Sequence, residues 1–527
     1  MKKTNRNLWP QLCAVIFLAF LALNCVPVYA AIGDMSFFGG ITEGTRLPKT
    51  TEILLSQAGA KSKTAEDTTM LYKEIVMLSG TATEVEGLLT IRRSGGVTED
   101  EDIGTFEVTY TVAPSETTVA QAAINRKIVN TVNWRREGSQ IIYDYTPRSW
   151  TETIVTPAGA YALDTRQSHY GVSIIEDITA GVSYYRGDVS MRAVYIGEGT
   201  EANAGLGTVL EIAGSFYGYD CAWSNTETHR LDCTVFSGDD WQMQYQVRPS
   251  VSVNKIMQYM QNEPAAISFR GNYKEVMQNQ SGLEYDVFVT PSQFFDEPVN
   301  GKANIPNLNA FEQLIAPDLD FLRGHYAEED ISKLFAMQVL EDEPKYFQPS
   351  QAMTRGQFVT ALVKALKLPV EQPEAAATTR SSRRKEAVIT LVFPDVTPDR
   401  REYPYIMSAY KHGITLGRDN VTFFIDTPIP RQEAITLMIR AVGLTGLGLD
   451  PTPMTAFVDD FKIADWARRE MSAANYLGLV DTDEDGRVNP TDALSKADGA
   501  VYLNRLIDYM RSDLARDYTD HIVNYAN

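Results

Sequence analysis

The chain has 527 residues, 44% of them hydrophobic and 22% charged, with a formal net charge of −20. This is globular material with room for two or more domains, which excludes a disordered chain. The acidity works against nucleic acid or anionic lipid as a partner, because a like-charge field repels phosphates unless a local basic patch overcomes it.

The opening segment has the parts of a secretory signal. Lys2, Lys3 and Arg6 precede an apolar run over 13–23, and Val28-Tyr29-Ala30 stands before a cleavage point at Ala31. The run falls well short of the roughly twenty residues a spanning helix needs, so 1–30 reads as a removed leader rather than a transmembrane anchor. Cys25 suggests lipid attachment, but Asn24 before it does not fit the small residue such sites require.

Residues 31–315 alternate apolar with polar positions, as in TFEVTYTV at 105–112 and again over 140–145, 189–196, 209–216 and 283–290. Turn clusters such as Arg93-Ser94-Gly95-Gly96 and Gly197-Glu198-Gly199-Thr200 separate them. The pattern predicts a mainly antiparallel β domain, a sandwich or curved sheet, with two helical patches near 119–130 and 253–262. Cys221 and Cys233 remain after leader removal; in an exported chain they fit a disulfide closing a hairpin loop, the alternative being two reduced thiols.

This half shows no phosphate loop, no His-Glu-x-x-His and no Gly-x-Ser-x-Gly. Glu176 and Asp177 offer the two acids glycoside hydrolysis uses, although solvated turn acids are the plainer reading. His169 and His229 have no ligand cluster around them. Trp134, Trp150, Tyr184, Tyr185, Tyr217, Trp223 and Trp241 suit a sugar-stacking face or a β core, and core is expected for most. A hydrophobic ligand held inside a curved sheet is a further reading of the same pattern.

Beyond 318 the period lengthens and the chain repeats itself. Superposing Arg355, Arg431 and Lys496 brings three apolar stripes into one register: Phe358, Ala361, Leu362, Ala365 and Leu366; Ala434, Leu437, Met438, Ala441 and Val442; Gly499, Tyr502, Leu503, Leu506 and Ile507. Upstream, Ile331, Ile406 and Met471 mark an earlier helix in each repeat. Gly413 and Gly478 stop two of these, and repeat one lacks the glycine. Between the helices Phe347, Phe424 and Val488 read as apolar plugs. One helical hairpin cannot bury its own faces, whereas three packed together can.

These segments resemble S-layer homology repeats. Phe393-Pro394-Asp395 and Phe457-Val458-Asp459 open repeats two and three, and His325-Tyr326-Ala327, Asp465-Trp466-Ala467 and Thr354-Arg355 match further motif positions. The resemblance sets repeats at 318–368, 391–444 and 456–510, with a linker over 369–390 and a tail over 511–527. It implies an all-α pseudo-threefold bundle that anchors an exported protein noncovalently to a secondary cell-wall polysaccharide, often anionic. It also carries a cell-surface location and membership of a self-assembling surface layer.

An Arg in the first turn of a helix stands beside unpaired N–H groups and the positive dipole end, a setting for a carboxylate or phosphate. Arg355, Arg431 and Lys496 are therefore the candidate polymer contacts, with Thr354, Asp320, Asp395, Asp459 and Trp466 around them. The plainer alternative is that Thr354 caps the helix and each Arg pairs with one of those acids. Pro430 replaces the capping Thr and Lys496 replaces Arg, so three equivalent pockets are not expected.

In repeat three, Asp481, Asp483, Asp485, Arg487, Asn489 and Asp492 fall at the ligand spacing of a calcium loop, with Gly486 at the sharp turn. The stretch resembles a dockerin or EF-hand loop and makes calcium the expected cofactor, against an acidic surface loop. The whole reads as a wall-anchored surface protein displaying a β-rich binding or surface-layer module. The alternative is a surface enzyme acting on glycans from the same anchor.

Overall fold

The structure is a computed structural model and describes residues 38–42, 68–97, 101–116, 118, 122–198, 207–238, 241–260, 272–290, 299–306, 310–370, 392–418, 421–448 and 454–518. The expected leader and most of the expected linker and tail lie outside them. Among the described residues no helix is long and apolar enough to cross a membrane.

Among the described residues fifteen strands form one sheet: β1 (Gly40–Thr42), β2 (Thr68–Val76), β3 (Thr83–Ser94), β4 (Ile103–Ala113), β5 (Ala123–Glu137), β6 (Gln140–Thr156), β7 (Gly159–Leu163), β8 (His169–Ile178), β9 (Val182–Glu198), β10 (Thr208–Cys221), β11 (Ser224–Ser237), β12 (Trp241–Met260), β13 (Asn272–Val289), β14 (Asn300–Asn304) and β15 (Ala310–Leu314). Neighbours pair antiparallel in chain order, except that β7 and β8 lie end to end between β6 and β9, and β14 and β15 share β13. Alternation explains the elements. In β8, Tyr170, Val172, Ile174 and Glu176 point inward while the residues between them face out.

The sheet curls until its ends meet. Strand β1 packs on β12 and β13, where Ser281 Oγ donates to the Thr42 carbonyl at 2.7 Å. The interior is filled with side chains, Tyr72, Tyr110, Tyr195 and Phe216 among them. Arg126 lies at its centre, donating to Glu74 at 2.8 Å and to Glu152 at 2.7 Å, with its guanidinium 4.6 Å from the Phe38 ring. Two carboxylates and full hydrogen bonding make this buried cation tolerable, and the network ties β2, β5 and β6 across the interior.

Two expected helices are strands instead. The described parts of 119–130 and 253–262 belong to β5 and β12, where Ile124, Ile128 and Val132 follow a period of two. Pairing along both edges outweighs the local helix pattern. The disulfide is also corrected: Cys221 and Cys233 are free and buried. The register sets Cys233 opposite Ile212, nine residues back along β10 from Cys221, about 30 Å at strand rise and far beyond bridging reach.

The helical half has α1 (Glu328–Ala336), α2 (Arg355–Ala365), α3 (Tyr403–Lys411), α4 (Arg431–Ala441), α5 (Arg468–Tyr476), α6 (Lys496–Ser512) and α7 (Leu514–Asp517). Helices α2, α4 and α6 are central. Their expected stripes are all buried, but Val359, Thr360 and Val363 of α2 are buried too, because neighbours cover these helices on every side.

Hydrogen bonds close the three central starts into a ring. Met353 N–H donates to Leu494 O, Leu494 N–H to Ile429 O, and Ile429 N–H to Met353 O, at 2.8, 2.8 and 3.0 Å. Each donor stands two residues before its basic residue. Gly413 and Gly478 take left-handed φ values of 71° and 66° after α3 and α5, and Gln338 fills the same role after α1 at 58°. The plug of repeat two is Phe423, fully buried, rather than Phe424, which is turned outward at φ 62°.

The helical core takes in one end of the sheet, where Val182, Tyr184, Tyr219 and Trp223 cluster with the helices, while the sheet interior is a separate cluster. Turns of the sheet meet the C-terminal ends of the central helices, where the last carbonyls have no partner of their own. Trp223 Nε1–H donates to Ala365 O at 2.7 Å, Gly181 N–H to Ala441 O at 2.6 Å, Tyr184 O–H to Val442 O at 3.0 Å, and Ser224 Oγ–H to Met510 O. Gly181 is required for this approach: a Cβ there would stand 2.9 Å from Leu366 Cδ2 and 3.1 Å from Ala441 O. Tyr518 completes the seam, stacking on Tyr184 at 5.3 Å and donating to Tyr185 O at 3.0 Å.

Candidate functional site

The three candidate basic residues each begin a central helix, but the N–H groups beside them are not open to a ligand. Arg355 N–H donates to Thr427 O and Gly356 N–H to Ile425 O, Arg431 N–H to Asp492 O and Gln432 N–H to Pro490 O, and Lys496 N–H to Gln351 O and Ala497 N–H to Pro349 O. The loop of the next segment occupies the same two donors in every case. Thr354 caps α2 and forms a capping box with Gln357, Ser495 caps α6 through Asp498 N–H, and Pro430 offers no side-chain cap. The dipole argument for an anion at these starts therefore fails, and any ligand must be held by side chains.

Those side chains differ between the three starts. Each of Arg355 and Arg431 meets the acid two residues into the next central helix: Arg355 contacts Glu433, and Arg431 Nη2 donates to Asp498. In α2 that position is Gln357, and Lys496 donates instead to Asp342 at 2.6 Å. Arg431 is further satisfied by Tyr502 Oη at 3.0 Å, and Tyr326 Oη donates to the other oxygen of Asp498 at 2.7 Å. Burial alone would lower the Arg431 pKa, yet Tyr502 and Asp498 outweigh it and the value is raised.

Arg355 is different. It is buried, stacks on Phe423 at 4.8 Å and donates to Thr415 Oγ1 at 3.1 Å, while its Nε has no hydrogen-bond partner among the described residues. Burial and then the charge of Arg418 push its pKa down to about 10, with Asp395 opposing. Arg418 lies 5.8 Å from the Phe424 ring, so a second guanidinium group and an outward-facing aromatic stand near Arg355.

The expected acids do other work. Asp395 accepts from the N–H groups of Phe423, Phe424 and Ile425, and Asp459 from those of Val488 and Asn489, at 2.6 to 3.3 Å. Both hold the loop that precedes a central helix, and Asp320 pairs with Arg323 at 2.8 Å. Trp466 is 52% exposed and Tyr326 68%, which leaves two aromatic faces open at equivalent positions of repeats three and one. Glu433, Asp498, Asp342 and Arg418 were missed from sequence; the shared offset of Glu433 and Asp498 from their helix starts is the signal that marks the first two.

In the acidic loop the expected calcium ligands are engaged with protein partners. Asp481 pairs with Arg505, Asp485 with Arg487 at 3.1 Å, and Asp483 accepts from Asp485 N–H, Arg487 N–H and Asn489 Nδ2 at 2.9 to 3.0 Å. The Arg487 carbonyl, a seventh-position ligand in such loops, accepts from Asp483 N–H at 2.9 Å. Among the described residues no three acidic, His or Cys side chains stand together as a metal site. Glu176 and Asp177 are no pair: Glu176 is buried against Tyr143 and Ser183, and Asp177 bonds Ser139 on the opposite face of the strand.

The S-layer homology domain family matches residues 322–359 and 456–498. The chain is 24% identical over 189 residues to Exoglucanase XynX of Acetivibrio thermocellus, covering 36% of this chain and 16% of that protein. It is 25% identical over 164 residues to an endoglucanase of a Bacillus strain, covering 30% and 16%. It is 25% identical over 187 residues to the Surface-layer 125 kDa protein of Lysinibacillus sphaericus, covering 35% and 14%. The matches therefore span about a sixth of these relatives or less. The matched segments and the surface-layer relative put the protein at the cell surface, against the cell wall.

Proposed function

We propose that residues 318–510 are three S-layer homology repeats around a pseudo-threefold axis, anchoring the chain noncovalently to an anionic cell-wall polysaccharide. The ring of hydrogen bonds through Met353, Ile429 and Leu494 supports the threefold reading. The groove at Arg355 is the principal binding site. The observation that carries this is the incompletely satisfied Arg355, buried beside Arg418 with Phe424 on the lip. Glu433 already meets Arg355, and a ligand carboxylate or phosphate adds the acceptor that its Nε lacks and a counter-charge for Arg418, and the aromatic suits a sugar ring. Arg431 and Lys496 are tied to Asp498 and Asp342 and act first as inter-repeat links.

The β-rich half is a packed display module, and membership of a surface layer belongs to the same reading. The test is retention of the full mature chain on purified cell walls, before and after removal of the secondary polymer. Retention is expected on intact walls only, and Arg355→Glu is expected to abolish it. Equal retention on stripped walls, or by Arg355→Glu, would refute the assignment.

A further inference from the structure

The seam between sheet and helices also concentrates positive charge. Lys255 of β12, Lys367 just beyond α2 and Arg511 near the end of α6 surround the Trp223 indole. Lys367 Nζ is 4.3 Å, Arg511 Cζ 4.5 Å and Lys255 Nζ 5.8 Å from its ring centre. Glu275 of β13 approaches all three cations, at 3.6 Å from Lys255, 3.9 Å from Lys367 and 3.7 Å from Arg511. Each of those separations exceeds a hydrogen bond, so one carboxylate is shared at long range among three cations.

Arg511 has a second acid, Asp508, which is half exposed and 3.2 Å away. Its side chain is only 7% exposed, and its Nε is buried with no hydrogen-bond partner among the described residues. Lys255 and Glu275 are nearly as enclosed, while Lys367, 36% exposed, opens the cluster to solvent. Burial first and the neighbouring Lys255 second push the Lys367 pKa down to about 8.

Cations at helix C-termini ordinarily serve the last carbonyls. Here those carbonyls are occupied, Ala365 O by Trp223, and Met510 O by Ser224 and the Cys221 thiol. The helix ends do not account for three converging cations, and an enclosed excess of like charge is costly without a counter-ion.

We propose that Lys255, Lys367 and Arg511 form a site for a small oxyanion of the phosphate class, seated at the junction of the two halves where the three cations converge. Bound there, the anion bridges the sheet, through Lys255, to two central helices, through Lys367 and Arg511, and strengthens their union. The site lies at the helix ends opposite the Arg355 groove and is independent of wall binding. Free inorganic phosphate and a terminal phosphomonoester such as glycerol phosphate present the same chemistry.

The test is the thermal midpoint of the full mature chain in phosphate against chloride at matched ionic strength, for the wild type, Lys367→Gln and Lys255→Gln. A phosphate-specific rise is expected in the wild type, with the half-maximal concentration raised about tenfold or more in each variant. Without phosphate, Lys367→Gln is expected to be at least as stable as the wild type, because it removes repulsion; a lysine acting only as an ion-pair partner of Glu275 would destabilise on removal. Glycerol phosphate in place of phosphate separates the sources: a matching rise identifies a monoester site, and a rise with inorganic phosphate alone identifies a free-ion site. No phosphate-specific rise in the wild type, or equal rises in all three proteins, would overturn the proposal. Should a variant fail to fold, phosphorus NMR on the wild type still decides, since absence of phosphate line broadening refutes the site.

Discussion

Trp223→Phe is the sharpest probe of the shared core. The indole is 1% exposed, its N–H satisfies Ala365 O at 2.7 Å, and three cations lie over or beside its ring. Phenylalanine keeps an aromatic ring but leaves the carbonyl buried without a donor, a cost of about 1–3 kcal/mol. The smaller ring also weakens the cation contacts and leaves space, adding about 1 kcal/mol. A total loss of about 2–4 kcal/mol is expected. The assay is urea unfolding followed by hydrogen exchange, reading peptides of α2 and α6 separately from those of β10 and β11. Because the turn joining β10 and β11 belongs to the same hydrophobic cluster as α2 and α6, both sets should lose protection at the same lower denaturant concentration. Strands that loosen while α2 and α6 keep wild-type protection would refute the continuity argument.

Four further outcomes follow from the geometry. Arg431→Ala should destabilise the fold by about 1–2 kcal/mol, by taking one partner from the partly buried Asp498, which keeps Tyr326 and Ser495, yet retain wall binding far better than Arg355→Glu; folding assays beside wall retention separate the two. Thiol titration should find two reactive groups in denaturant and almost none in the native protein, since burial raises both thiol pKa values, Cys221 to about 11. If the acidic loop takes calcium, calorimetry should show saturable heat only near or above about millimolar concentration, because a bound ion must first break the Asp481–Arg505 and Asp485–Arg487 pairs; no saturable heat there would remove the calcium reading. Lys367 has a folded pKa of about 8 against an ordinary 10.5, so the unfolded chain binds more protons between those values. In phosphate-free buffer the wild type should therefore gain stability relative to Lys367→Gln as pH rises through that window. Lys255, Arg511 and Glu275 are the charged groups facing it, and the gain is modest because the side chain is 36% exposed.

Much of the architecture was legible because it rests on period. Alternation marked the β half, and a common register marked the buried faces of α2, α4 and α6. The matched family residues fall in the first and third expected segments. Where sequence reading failed, contacts between distant segments decided. The run Ala123-Ile124-Asn125-Arg126-Lys127-Ile128 suits a helix locally, but β4 and β6 pair with it on both sides. Phe423 and Phe424 are adjacent and alike, and only the left-handed turn at Phe424 decides which one is buried. The cysteine pair looked close along the chain, yet a long two-stranded register separates it.

For the site, residue types were legible and partners were not. Arg355, Arg431 and Lys496 stand at equivalent places, but their differences come from Glu433, Asp498 and Asp342, each on another segment. The N–H groups thought open to an anion are closed by loops 58 to 148 residues away, a fact no local motif carries. Nor does composition reveal that one end of the sheet joins the helical core, since Trp223 reads only as a β-core or sugar-stacking aromatic until the helix ends meet it.

The position of the seam has a mechanical consequence. Under the proposed anchoring, the wall grips the beginnings of the central helices, and the displayed half pulls on their ends. Eleven residues of α2 separate the two points by about 16 Å. Drag on the outer half then travels down three rods side by side, and the ring through Met353, Ile429 and Leu494 shares the load among them before it reaches the polymer. A tether built this way takes shear on three helices together rather than on one.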